Sequence, residues 1–215
     1  MSSDNSLKDI VIFGAGGLGR EIYDTILSIN NIDLKLNVIG FIDEVKSPGE
    51  LVNGIQVLGG EQFLSNLHSN VGIVLGMASS ESRRRIFNQY KAYFEFPRVL
   101  HPSATISSFA KLGEGVLIQA GCVVAANATL GDCVMMNAHS GVGHDARIGS
   151  WCSIMSFCDV AGNSELGESC FVGTGAKVIP SITIASESFI CAGSVVLKSI
   201  SQKSKLIGNP AKVIG

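Results

Sequence analysis

The chain has 215 residues, 46% of them hydrophobic, and a formal net charge of -2. That balance excludes the concentrated basic face that nucleic acid or an anionic membrane requires, and leaves small anionic ligands open. The polar start, Met1 to Ser6, lacks a signal-peptide pattern, and no stretch approaches the roughly 18 apolar residues of a membrane span, so a cytoplasmic location is expected.

Asp9 to Phe13 reads as a buried strand that runs into Gly14-Ala15-Gly16-Gly17-Leu18-Gly19 and then into a helix with Ile22, Ile26 and Ile29 on one face. A GxGxxG in this setting permits a tight turn and lets a phosphate approach the helix N-terminus, which makes Gly14, Gly16 and Gly17 candidate acceptor-binding residues. The alternative is that the glycines only pack a strand against a helix. Val38 to Ile42 forms a second strand ending in Asp43-Glu44, acids placed to accept hydrogen bonds from a ribose or base. Further strands are expected at 71–75 and 97–100. A helix is expected at 80–94, marked by Ile86, Tyr90 and Phe94 and capped within Ser79-Ser80-Glu81. Arg83 to Arg85 on its first turns are either a solvated face or, through Arg83, a phosphate contact. About 100 residues suffice for one mononucleotide-binding half and fall short of a full dinucleotide fold, so a nucleotide is expected over residues 1–100.

From Ile106 to Val196 every sixth residue is Ile, Leu, Val or Met, without exception. A period of six fits neither a helix nor a flat strand; it fits short strands joined by regular corners, three hexads closing one triangular coil of a parallel β-helix. Four residues after each aliphatic comes a second inward position, small everywhere from Ala110 to Ser194 except at Ile182. Four of the six Cys (Cys122, Cys152, Cys158 and Cys170) fall there, where a free thiol acts as a small hydrophobe. Gly follows the aliphatic at 113, 131, 143, 149, 167 and 173, where a tight corner is expected to need permissive backbone. The coil domain is expected over residues 101–215.

Two of the four His lie close together in Asn137-Ala-His139-Ser-Gly-Val-Gly-His144-Asp145, and both point outward in the hexad register. A His followed by Asp suits a general base whose second ring nitrogen is oriented by a carboxylate.

The glycine-rich first domain, the Val99 to Ile106 linker, the hexads, the Asn137 to Asp145 segment and the closing Ile207-Gly-Asn-Pro-Ala-Lys212 together resemble the bacterial sugar O- and N-acetyltransferases. That group includes the sialic acid O-acetyltransferases and the N-acetyltransferases of nucleotide-linked amino sugars. The resemblance implies a Rossmann-like α/β domain followed by a left-handed parallel β-helix, and a homotrimer with active sites between subunits. It further implies acetyl-CoA as co-substrate, a sugar or nucleotide-sugar acceptor and no metal. It assigns His144 as catalytic base, Asp145 as its acid partner and Asn137 as an acceptor contact. Gly162, Thr174, Ala192 and the Gly208-Asn209-Pro210 segment become cofactor contacts, with Gly162 N–H stabilising the oxyanion. Lys198, Lys203, Lys205 and Lys212 suit the CoA phosphates or a solvated face equally. Some members carry a His where this chain has Ser153 or Leu18; with a nucleotide pocket expected ahead of the coil, the amine of a nucleotide-linked amino sugar is the expected acceptor and a sugar hydroxyl of the sialic acid type the alternative.

Other classes make different demands. A coil-based zinc enzyme of the carbonic anhydrase type would use His139 and His144 with a third His two coils upstream, but His101 lies 38 residues before His139 and misses that offset. A scaffold without chemistry would not need the His-Asp pair, and an oxidoreductase would bind NAD.

Overall fold

The structure, a computed structural model, describes residues 7–214; the polar segment Met1 to Ser6 lies outside the described residues. The chain divides into two compact units, one ending at Pro102 and the other beginning at Ser103.

The first unit is an α/β domain. β1 (Lys8–Phe13) leads through the glycine loop into α1 (Gly17–Asn30), followed by β2 (Leu36–Ile42), β3 (Leu51–Val52), β4 (Ile55–Gly59), β5 (Gly72–Leu75) and α2 (Ser80–Tyr90). The sheet runs β3-β4-β2-β1-β5, parallel except where β3 meets β4. Central β1 contributes Ile10, Val11 and Ile12, all fully buried, and α1 lays Ile22 and Ile26 into the core with Ile29 half-buried. A parallel strand covered on both faces requires such an unbroken apolar run.

The β3–β4 hairpin escaped the sequence reading although its turn is an Asn53-Gly54 pair, with φ 49° and 82°, the chemistry that a two-residue hairpin selects. The second helix ends at Tyr90, short of the expected 94, because the chain folds back and Tyr93 and Phe94 donate their N–H groups to Tyr90 O. Phe94 then packs edge-on to Tyr90, while Phe96 packs against Phe87. The expected strand at 97–100 shrinks to Val99–Leu100. Pro97 supplies no N–H to a ladder.

The second unit is the left-handed β-helix. Two-residue strands recur from Thr105–Ile106 to Val195–Val196, and those up to Lys177–Val178 each pair in parallel with the strand 18 residues on, as Val124 does with Val142 and Val142 with Val160. Three faces result. The first carries Ile106, Val124, Val142, Val160, Val178 and Val196 in one ladder; the second carries Leu112 to Ile184, and the third Ile118 to Ile190. Ile118, Met136, Ile154, Val172 and Ile190 are fully buried. Burying each such side chain stabilises the coil by about 1.5–3 kcal/mol.

The small inward positions have a polar use as well. Ser140 and Ser164 donate to the carbonyls of Met155 and Ile179 at 2.7 and 2.8 Å, and Cys152 and Cys158 do the same to Gly167 and Gly173 at 3.0 and 3.1 Å. Ser and Cys alternate there because both fit the corner and both carry a donor.

The glycines that follow the aliphatics have a different cause from the expected one. None of Gly113, Gly131, Gly143, Gly149, Gly167 and Gly173 has positive φ; the left-handed residue is the third after the aliphatic, as at Asn127, His139, Asp145, Trp151 and Phe157. A Cβ on Gly131 would lie 2.6 Å from Ser150 N, and one on Gly143 would lie 2.4 Å from Gly162 N. What those glycines permit is close stacking of the next coil.

Candidate functional site

His144 stands on the corner after the first face, two residues beyond Val142 and one before the left-handed Asp145, whose φ is 59°. That backbone turn swings the carboxylate back toward its own neighbour: His144 Nδ1 and Asp145 Oδ2 are 2.9 Å apart. The coil below contributes Asn127, whose Nδ2 donates to Asp145 Oδ1 at 3.2 Å. Those two hydrogen bonds, His144 first, hold the Asp145 carboxyl below the usual carboxylate range. An imidazole facing a carboxylate donates Nδ1–H to it and keeps Nε2 as an acceptor.

The coil above supplies Gly162. A Cβ there would lie 2.6 Å from His144 Nε2, 2.8 Å from Cε1 and 2.9 Å from Cδ2, so the ring rests flat on the Gly162 Cα. Among the described residues the Gly162 N–H has no hydrogen-bond partner. His144 is 64% exposed, so its Nε2 is open to an incoming group.

The other coil residues lie on the preceding corner. Asn137 is half-buried, with its Oδ1 buried and lacking a hydrogen-bond partner among the described residues. Leaving such a carbonyl unmet costs about 1–3 kcal/mol, which a donor from a ligand would recover. His139 stacks on Phe157, with ring centroids 5.2 Å apart and planes within 15°. Its corner is separate from that of His144. Between the two corners, Gly141 and Gly143 floor a cleft of about 370 Å³ that reaches Asp159 and Lys177. Sequence reading missed that cleft, although its signal was a Gly at 141 where neighbouring hexads carry an outward side chain. Thr174 and Ala192 are exposed on the Asn137 corner. Gly208, Asn209 and Pro210 are exposed in the closing turn, which is tied down by Val195 N–H to Gly208 O at 3.0 Å.

In the α/β unit the loops after β1, β2 and β5 meet at the carboxyl ends of the strands. Gly14 has φ 105° and its added Cβ would lie 2.8 Å from Gly76 O, while Gly16 and Gly17 face open space. Asp43 binds the chain itself: Oδ2 accepts from Ala15 N–H at 2.7 Å, and Oδ1 from Val45 and Lys46 N–H at 2.9 and 3.0 Å. Burial pushes its pKa up, but the N–H donors of Ala15, Lys46 and Val45 outweigh that and leave the carboxyl below its ordinary value. Glu44 Oε1 accepts from Glu61 N–H at 2.6 Å at the start of the 3-10 helix Glu61–Asn66. Arg83 contradicts the solvated-face expectation. It is 2% exposed, and its Nη1 donates to Met77 O and Ala78 O at 3.1 and 2.8 Å, which holds the loop after β5. Arg85 does lie at the surface, with its Nη2 2.7 Å from Glu61 Oε2.

Residues 9–90 match the PglD N-terminal domain. No curated relative matches the sequence. Among solved structures, the acetyltransferase domain of PglB from Neisseria gonorrhoeae FA1090 is 28% identical with a TM-score of 0.88, over 96% of this chain and 100% of that one. PerB from Caulobacter crescentus, solved with CoA and GDP-perosamine, is 28% identical with a TM-score of 0.89, over 98% of this chain and 99% of that one. WeeI from Acinetobacter baumannii AYE, 23% identical with a TM-score of 0.85 over 95% and 99% of the two chains, shares the fold. With its α/β domain ahead of a left-handed hexapeptide coil, the chain is similar over nearly its whole length to these bacterial acetyltransferases.

Proposed function

We propose that this protein transfers an acetyl group from acetyl-CoA to the amine of a nucleotide-linked amino sugar, with His144 as general base. The carrying observation is the His144–Asp145 pair, 2.9 Å apart, with Nε2 left open above Gly162. Two solved relatives support the substrate class: the PglB domain in complex with acetyl-CoA, 27% identical, and PerB with CoA and GDP-perosamine.

The acceptor nitrogen attacks the thioester carbonyl carbon, and as it becomes cationic it gives its proton to His144 Nε2. Asp145 stabilises the imidazolium that forms and fixes its orientation. The carbonyl oxygen, now carrying the negative charge, is met by the Gly162 N–H. Collapse of the tetrahedral intermediate breaks the carbon–sulfur bond, and the imidazolium proton passes to the departing CoA thiolate. Acetyl is thus moved without an enzyme-bound acyl intermediate. Asn137 Oδ1, buried and unmet, suits a donor on the acceptor. Gly16 and Gly17 leave room for the acceptor's phosphates at the start of α1, where unpaired N–H groups favour negative charge, while Gly14 lets the loop turn tightly against Gly76. Arg83, Asp43 and Glu44 shape that pocket by holding its loops. A homotrimer with the coil corners facing neighbouring copies completes the reading, in the cytoplasm where acetyl-CoA is made.

The test is acetyl-CoA turnover against UDP-, GDP- and dTDP-linked amino sugars, with free sialic acid as the hydroxyl acceptor. His144→Ala is expected to lower kcat by about 10²–10⁴-fold on the accepted amino sugar. Full turnover by that variant, or turnover of the hydroxyl acceptor alone, would refute the proposal.

A further inference from the structure

The outward positions on the first face of the coil are Thr105, Val123, Gly141, Asp159, Lys177 and Val195. Gly141 alone in that column lacks a side chain, and the gap it leaves is the cleft of about 370 Å³. The backbone does not ask for glycine there, since the Gly141 φ lies outside the left-handed region. The Asp159 carboxylate overhangs the gap: a Cβ on Gly141 would lie 3.1 Å from Asp159 Oδ1.

Asp159 is exposed, and among the described residues its carboxylate has neither a hydrogen bond nor an ion pair. Lys177, the next residue up the column, donates its Nζ to Phe157 O at 2.9 Å instead of meeting the acid. Its charge still offsets that of Asp159, so the cleft exerts little net pull on a cation. What Asp159 offers is acceptor oxygens, and Ser140, the hydroxyl in the lining, already donates to Met155 O.

The position of the acid says which donor it can meet. Asn137 Oδ1, buried and unmet, stands on the corner before this face, and His144 Nε2 stands on the corner after it. An acceptor that reaches both must cross Gly141 beneath Asp159. Asp159 precedes Gly162 by three residues, about 10 Å of extended chain, which separates its carboxylate from an amine held at the His144 ring. A pyranose whose amine stands at His144 brings a hydroxyl, not the amine, to that point.

We propose that Asp159, hanging over the gap left by Gly141, accepts a hydrogen bond from a ring hydroxyl of the acceptor sugar and so selects which sugar is acetylated. The inference rests on the amino-sugar reading above and adds to it a specificity-determining residue.

The experiment measures kcat and both KM values for wild type, Asp159→Ala, Asp159→Asn and Gly141→Val, each checked by a thermal melt. The acceptors are the accepted amino sugar and analogues in which each ring hydroxyl is replaced in turn by hydrogen. Asp159→Ala should raise the acceptor KM about tenfold, with kcat within about twofold and the acetyl-CoA KM unmoved. Asp159→Asn keeps one acceptor oxygen and should raise it about threefold. Gly141→Val, which places in the gap the side chain found at Val123 and Val195, should raise it further than Asp159→Ala. Wild type should lose about tenfold on one deoxy analogue, and Asp159→Ala should not distinguish that analogue from the parent sugar. An unchanged acceptor KM in Asp159→Ala overturns the inference, and so does a variant that discriminates against every deoxy analogue as wild type does; acetyl-CoA turnover by wild type keeps the parent reading intact in both cases. A rise confined to the acetyl-CoA KM also overturns it, because the acid would then face the thioester arm. Wild type that turns over no acetyl-CoA removes both.

Discussion

Gly162→Ala separates the position of the His144 ring, the proposed base, from the stability of the coil that holds it. The three heavy atoms nearest an added Cβ all belong to the His144 ring, with Nε2 at 2.6 Å, and the Gly162 φ lies outside the left-handed region, so the backbone accepts alanine. Ordinary contact needs about 3.5 Å, so the ring must move by about 1 Å. His144 is 64% exposed and can swing outward freely, and the change should leave the melting temperature within about 2 °C. Catalysis is less forgiving. A displacement of about 1 Å takes Nε2 off the line of the attacking amine and is expected to lower kcat about 30- to 100-fold, with both KM values within about twofold. The Gly162 N–H survives in alanine, so the loss reports ring position alone. A continuous thiol-release assay on the accepted amino sugar, paired with a thermal melt, reads both quantities. Unchanged kcat would mean that the ring does not work from above Gly162. A loss matched by a large fall in melting temperature would mean that the glycine is there for packing.

Asn127→Gly tests the support for Asp145 from the coil below. Glycine takes the φ of 60° at that corner without strain, so only the 3.2 Å hydrogen bond is removed, and kcat should fall about two- to fivefold with the melting temperature little changed; a loss as large as that of His144→Ala would show that Asn127 does more than steady the carboxylate. Asp43→Asn tests the loop anchor in the α/β unit. The Asp43 pKa is lowered in the folded protein, so the stabilisation is present above the ordinary value of 3.8 and is lost as pH falls through the depressed folded value. The variant should therefore melt below wild type at pH 7 and the gap should narrow as pH falls below 3.8, as calorimetry across that range would reveal; a gap that does not narrow would place the effect in packing.

The period of six made the coil legible because each inward aliphatic contributes one step of a ladder and none can be skipped without a hole. The inward Ser and Cys positions were legible as small, but their carbonyl partners 15 residues on were not, since a hexad read alone does not say which coil edge lies beside it. The left-handed corners hold Asn, His, Asp, Cys, Trp, Phe, Ser and Glu as well as Gly115, Gly121, Gly175 and Gly193, a mixture in which glycine does not single out positive φ. Where the next coil comes closest, as at Gly131 against Ser150 N and Gly143 against Gly162 N, glycine sits one residue after the aliphatic instead. Arg83 misled for a related reason. Its charge suggested solvent, whereas α2 places it on the same face as Ile86 and Phe87, where its guanidinium serves two carbonyls.

The same repeat that hides the corners explains why an imidazole and a carboxylate can be held steady on an exposed edge. Residues 18 apart occupy one corner on successive coils, so Asn127 lies beneath Asp145 and Gly162 above His144, and each is fixed by a ladder that continues through Val124, Val142 and Val160. A loop of similar exposure would have to order its own backbone to present an imidazole and carboxylate 2.9 Å apart, at about 1–2 kcal/mol per residue. Here that ordering is already accomplished by the buried aliphatics. The corner can therefore leave the His144 Nε2 and the Gly162 N–H without partners among the described residues, which is the condition that the proposed roles of base and oxyanion donor set. Substitutions in the coil interior should consequently damage catalysis only when they unfold the corner, while substitutions at positions 127, 145 and 162 act on a fold that stays intact.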